Sequence, residues 1–150
     1  MKRCTKKKSG NSEKRTVHAQ IKGCSDKSPI WTFENVDKTG IFAFDTSRED
    51  FQHKEVLDKI LSYSTMTWAE IDRQIHDDGR SKHHYLRPGS LSKEAEKRLS
   101  AKHLDDHSDQ IYSFALQNRL RIVGIREDEF FRVLWYDPNH EACIAHKKHT

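Results

Sequence analysis

The chain has 150 residues, 34% of them hydrophobic and 33% charged, with a net charge of +4. That is one domain's worth of chain, with a core to bury but not two of them. It contains no apolar run of membrane-spanning length, and its three cysteines, Cys4, Cys24 and Cys143, show neither a CxxC pair nor an even set, so a disulfide framework is not expected.

Residues 1–28 carry nine Lys or Arg against two acids and almost no large apolar side chains. Such a segment cannot bury enough surface to offset the entropy of ordering, so a disordered basic arm is expected over 1–28 and a single α+β domain over 29–150. The arm alone is +7, which leaves residues 29–150 at −3. Bulk positive charge therefore belongs to the arm, and only a local cluster on the domain can attract an anion. The arm is basic but lacks the apolar stretch of a secretory signal, so a cytoplasmic protein without membrane attachment is expected.

Ordered structure should begin at Ile30-Trp31-Thr32-Phe33, a short strand, and Ile41-Phe42-Ala43-Phe44 continues the apolar pattern as either a hairpin partner or a loop. Phe51, Val56, Leu57, Ile60 and Leu61 recur at helical spacing, with Thr46 or Ser47 as the expected cap. Thr67-Trp-Ala-Glu70 has the form of a capping box and predicts a second helix through Ile71 and Ile75 to about Gly79. The basic loop 79–90 holds His83 and His84. Ser92-Lys-Glu-Ala-Glu predicts a third helix ending near Lys102.

Three runs rich in Ile, Val, Phe, Tyr and Trp close the domain, broken at Gln117-Asn118 and at Glu127-Asp128. They predict an antiparallel meander of two hairpins, with two or three helices packed on the small antiparallel sheet. Phe130, Phe131, Val133, Leu134 and Trp135 put apolar side chains on both faces of the last strand, which suits a central position.

Ten histidines invite a metal reading. His103 and His107 have i,i+4 spacing, and His140, His146 and His149 form a compact group with Asp137 and Glu141, but no HExxH motif accompanies them, so solvated surface histidines and no metal or cofactor are expected. The sharper constellation is cationic. On a strand Arg119 and Arg121 share one face, with Leu120 and Ile122 directed toward the helices. Arg126 and Arg132 follow on the same sheet, and His140, which titrates near neutrality, lies after its last strand.

The segments Ile111-Tyr-Ser-Phe-Ala-Leu, Arg121-Ile-Val-Gly-Ile-Arg and Phe130-Phe-Arg-Val-Leu-Trp-Tyr-Asp-Pro-Asn-His, preceded by helices, resemble the terminal sheet of the RelE/ParE/HigB toxin superfamily over roughly residues 105–145. The resemblance implies a metal-independent messenger-RNA endonuclease whose partners are RNA or the ribosome and a covering antitoxin. It assigns phosphate stabilisation to Arg121, or to Arg119, and acid or base work to His140. Lys82, His83, His84, Arg126 and Arg132 are the residues expected to contact RNA. Two other readings stand beside it: a non-catalytic binding protein of a mobile element, and a metal-dependent phosphodiesterase built on Asp137, His140 and Glu141.

Overall fold

The computed structural model describes residues 22–144. The α+β class is as expected. Its elements are β1 (Ile30–Thr32), α1 (His53–Ser64), α2 (Trp68–Asp72), β2 (His84–Tyr85), α3 (Lys93–Ala101), β3 (Ile111–Ala115), β4 (Arg121–Glu127) and β5 (Phe130–Asp137). The five strands form one sheet in the order β1-β5-β4-β3-β2.

The last three strands form the expected meander, and their turns contain Asn118 and Asp128 at φ 54° and 53°. Both residue types tolerate the left-handed region better than most. The sheet is mixed rather than purely antiparallel, because β1 runs parallel to β5 with Ile30 opposite Phe130. Strand β5 thus lies between β1 and β4.

Helices cover both faces, so the second layer expected from the sequence is split in two. On one face Ala95 and Leu99 of α3 join Phe42, Leu91, Ile111, Val123 and Ile125. On the other, Val56 and Tyr63 of α1 and Trp68 and Ile71 of α2 join Tyr112, Phe114, Ile122 and Phe131. Every residue of β3 is buried, as are the first six of β4. A bulge sets Val123 opposite Trp135 but Gly124 opposite Val133, so Leu134 is an extra residue. Two consecutive side chains, Leu134 and Trp135, therefore enter the same core on the α3 side.

The capping box at Thr67 is complete. Thr67 Oγ1 accepts from the Glu70 amide at 3.2 Å, and the Glu70 carboxylate accepts in return from the Thr67 amide. The helix it opens is shorter than predicted. After Asp72 the chain turns at Gly79 and returns, pairing Ile75 with Ser81, and Ile75 is 59% exposed. Helix α3 has the predicted Ser92 cap, which accepts from the Ala95 amide.

Helix α1 begins after Gln52 with no side-chain cap, because Ser47 is held by Asp45 in a local turn. Its Leu57 and Leu61, read as core from their spacing, are 57% and 58% exposed. The Ile41–Phe44 segment is a loop. Phe42 accepts from the Tyr136 amide, and Asp37 takes two hydrogen bonds from Arg98 and one from Trp135 Nε1.

The arm expected over 1–28 lies outside the described residues as far as residue 21. The remainder packs on the domain: Ser25 and Lys27 carbonyls accept from the Ala69 and Trp68 amides at the start of α2. Cys24 is buried and disulfide-bonded, which departs from the expectation drawn from cysteine spacing. No helix among the described residues is long and apolar enough to cross a membrane.

Candidate functional site

Residues opposite one another in a sheet share a face. Asp137 pairs with Arg121, Val123 pairs with Ser113, and Ser113 pairs with His84. Arg121 and Val123 are two residues apart on β4, so Asp137, Arg121, Ser113 and His84 all lie on the α3 side, toward one end of the sheet.

Arg121 is 8% exposed. Its Nη1 donates to the Asn118 carbonyl at 2.7 Å and the Leu120 carbonyl at 3.0 Å. The guanidinium is thus fastened to the β3–β4 turn. Burial lowers its pKa while Asp137 acts to raise it, and an arginine so placed stays protonated.

Asp137 fixes the loop that follows β5. Its two carboxylate oxygens accept from the Glu141 and Ala142 amides, both at 2.9 Å. Burial raises its pKa against the opposing pull of those amides and of Arg121. Within the loop, His140 adopts φ 57°, a conformation that a histidine enters at modest cost. The Ala142 carbonyl then accepts from the Ser92 amide, which ties the loop to the start of α3.

His140 and His84 are both exposed, yet each lies in the field of Arg121. Partial burial of the ring lowers the pKa of His140, and Arg121, His76 and Arg119 lower it further. For His84 partial burial is again the leading cause, followed by the charges of His140, Arg121 and His76. At neutral pH both rings are therefore neutral and able to accept a proton, beside a fixed guanidinium.

Arg119 sits in the β3–β4 turn, before β4 begins, and is exposed. The expectation of two arginines side by side on an open sheet face does not hold, because neither face of the sheet is open. Arg119 acts on His140 through its charge.

The residues expected to contact RNA separate into distinct groups. Lys82 is half-buried and lines a cavity beside the β3–β4 turn. His83 is 2% exposed. Its Nδ1 accepts from the Ala115 amide at 3.0 Å, so Nε2 carries the hydrogen and donates to Gln74 at 2.7 Å. Burial pushes its pKa down to about 3. It is a neutral structural residue and is closed to a ligand.

Arg126 is 1% exposed, forms two hydrogen bonds with Asp72, and lies 3.8 Å from the centre of the Trp68 ring. It belongs to the core and cannot reach a nucleic acid. Arg132 pairs with Glu127 at 2.7 Å, toward the opposite end of the strands from Arg121. Of the residues proposed from sequence, Arg121, His140, Arg119 and His84 come together, with Lys82 nearby.

His76 was not singled out from sequence. It acts on both His84 and His140, having been carried there by the turn at Gly79 that replaces the second half of the predicted helix. No periodic signal marks such a turn. Among the described residues no group of three or more His, Cys, Asp or Glu is arranged to hold a metal ion. His146 and His149 lie outside the described residues. His107 instead pairs with Gln110.

No protein-family model matches the chain, and no curated protein or solved structure shows significant similarity to it.

Proposed function

We propose that this chain is a RelE-superfamily-like toxin that cleaves RNA at a metal-independent site formed by Arg121, His140 and His84. One observation carries the reading: a largely buried guanidinium, tied by backbone carbonyls, lies close to two exposed imidazoles that are neutral at physiological pH.

That set is chemically sufficient for phosphodiester transfer. One neutral imidazole takes the proton of a ribose 2′-hydroxyl as its oxygen forms a bond to the adjacent phosphorus. Arg121 stabilises the charge that develops on the non-bridging oxygens. The bond to the 5′-oxygen breaks as the other imidazole, in its protonated form, delivers a proton to it. The products are a 2′,3′-cyclic phosphate and a free 5′-hydroxyl. Asp137 is a positioning residue, since both its oxygens are used on the loop carrying His140. The resemblance of residues 105–145 to the toxin superfamily supports the same reading. It adds an antitoxin as the partner that covers the cationic end, and RNA or the ribosome as the target.

Induced expression in bacteria, with primer extension on total RNA, tests the proposal. Wild-type chain should arrest growth and produce new RNA ends, and Arg121→Ala and His140→Ala should abolish both. Harmless induction of wild type, or unchanged toxicity in both variants, overturns the nuclease.

A further inference from the structure

Beside the β3–β4 turn lies a cavity of about 310 Å³ bordered by Lys59 and Ser62 of α1, His76 and Lys82 of the following loops, and Asn118 of the turn, with Tyr63 among its walls. Its position relative to the proposed centre is set by a hydrogen bond. Asn118 forms part of the wall, and its carbonyl is the acceptor for Arg121. The cavity and the guanidinium therefore lie on the two sides of a single turn.

The lining has a sign. It holds two lysines and a histidine and no aspartate or glutamate, in a domain whose net charge over residues 29–150 is −3. Ser62 and Asn118 add neutral donors. Tyr63 is not available to bind a ligand through its hydroxyl, which donates to the Ala115 carbonyl at 2.6 Å. Two lysines lining a walled space without a carboxylate suit an oxyanion carrying several acceptor oxygens.

We infer that this cavity binds the backbone phosphate of the nucleotide next to the cleaved one in a single-stranded RNA. Lys59 and Lys82 contact that phosphate, and Asn118 contacts its sugar or base. The inference rests on the proposed nuclease for its choice of RNA. It goes further by assigning Lys59, which no sequence motif marks, and by running the strand over the β3–β4 turn from Arg121 into the cavity.

The test uses the full chain and a fluorescently labelled, single-stranded oligonucleotide carrying 2′-O-methyl groups. That probe cannot be cleaved by 2′-hydroxyl attack, so binding is read apart from chemistry. Anisotropy titrations over a range of NaCl concentrations should show roughly tenfold weaker binding for a Lys59→Ala, Lys82→Ala double variant. The slope of log affinity against log salt should fall by about 1.4, at about 0.7 per lost contact to a single strand. Ser62→Glu, which adds a carboxylate at an exposed position of α1, should weaken binding while leaving the circular dichroism spectrum and melting temperature unchanged.

Unchanged affinity and salt slope in the double variant overturn the inference, as does a Ser62→Glu protein that binds like wild type. If unmodified RNA is not cleaved but the double variant loses binding, the nuclease falls and the cavity assignment stands. If wild type cleaves RNA and the double variant binds and cleaves equally well, the nuclease stands and the cavity assignment falls.

Discussion

Asp72 and Arg126 form a bidentate ion pair of unequal exposure: the arginine side chain is 1% exposed and the aspartate side chain 37%. The guanidinium is also stacked on Trp68, and Tyr112 donates its hydroxyl to the same carboxylate at 2.7 Å. Removing one partner of a buried pair leaves the other charge uncompensated, and its cost depends on how far water can reach that remaining charge.

The two halves of the pair should therefore respond differently to substitution. Asp72→Ala strands a buried guanidinium and should cost about 3 kcal/mol, whereas Arg126→Met refills the volume and leaves a carboxylate partly open to water, costing about 1 kcal/mol. Urea denaturation of the two variants checks the order. Equal losses would mean that the guanidinium is not isolated from solvent.

His83 gives the fold a pH dependence. Its folded pKa, about 3, lies below its ordinary value of 6.5, so the unfolded chain binds the extra proton first. Stability from this group is full above pH 6.5 and is lost as pH falls toward 3, by at most about 1.4 kcal/mol per pH unit. His83→Asn can keep an acceptor for the Ala115 amide but does not titrate, and should reduce the slope between pH 6.5 and the onset of carboxylate protonation to what His84 and His140, whose pKa values are also lowered, contribute. Thermal melts at a series of pH values measure it.

RNA cleavage should be fastest on the acid side of pH 6.5. The mechanism requires one imidazole neutral and the other protonated, and the product of those fractions peaks between their pKa values. Both His84 and His140 titrate below the ordinary histidine value. Arg119 is one of the charges lowering His140, so Arg119→Gln should raise that pKa and shift the optimum upward. A pH–rate profile of kcat/KM compares the two, and an unshifted optimum removes Arg119 from the site.

Gly124 should tolerate no side chain. A Cβ there would stand 2.2 Å from the Arg132 carbonyl oxygen and 2.8 Å from Phe131 Cζ, because the bulge in β5 brings that backbone close. Gly124→Ala should cost about 3 kcal/mol or more. Gly23→Ala, with nothing within 4 Å of the new atom, is the control for calorimetry.

What could be read in the sequence was local. The Ser92 and Thr67 caps and the turns at Asn118 and Asp128 are each specified within a few residues, and so are the three β-rich runs that pair as the meander. The fate of Arg126 was not legible, because its partner Asp72 and its stacking ring Trp68 come from a helix distant in sequence. The arginines lie on no open face, for a related reason. Strands β3 and β4 are apolar on both faces, a pattern that requires cover on each side. For His84 the sequence supports a loop position and an RNA contact, but no place beside Arg121. Its approach to Arg121 depends on β2 joining the far side of β3, a pairing of two residues that leaves no periodic trace.

The parallel contact of β1 with β5 joins residues 30–32 to residues 130–132 across almost the whole described chain. Such a link raises the contact order of the fold and slows its completion. During synthesis β1 has no neighbour in the sheet until β5 has left the ribosome, and the loop bearing His140 emerges later still. A nascent chain therefore lacks both a finished sheet and a finished site until translation has passed that loop.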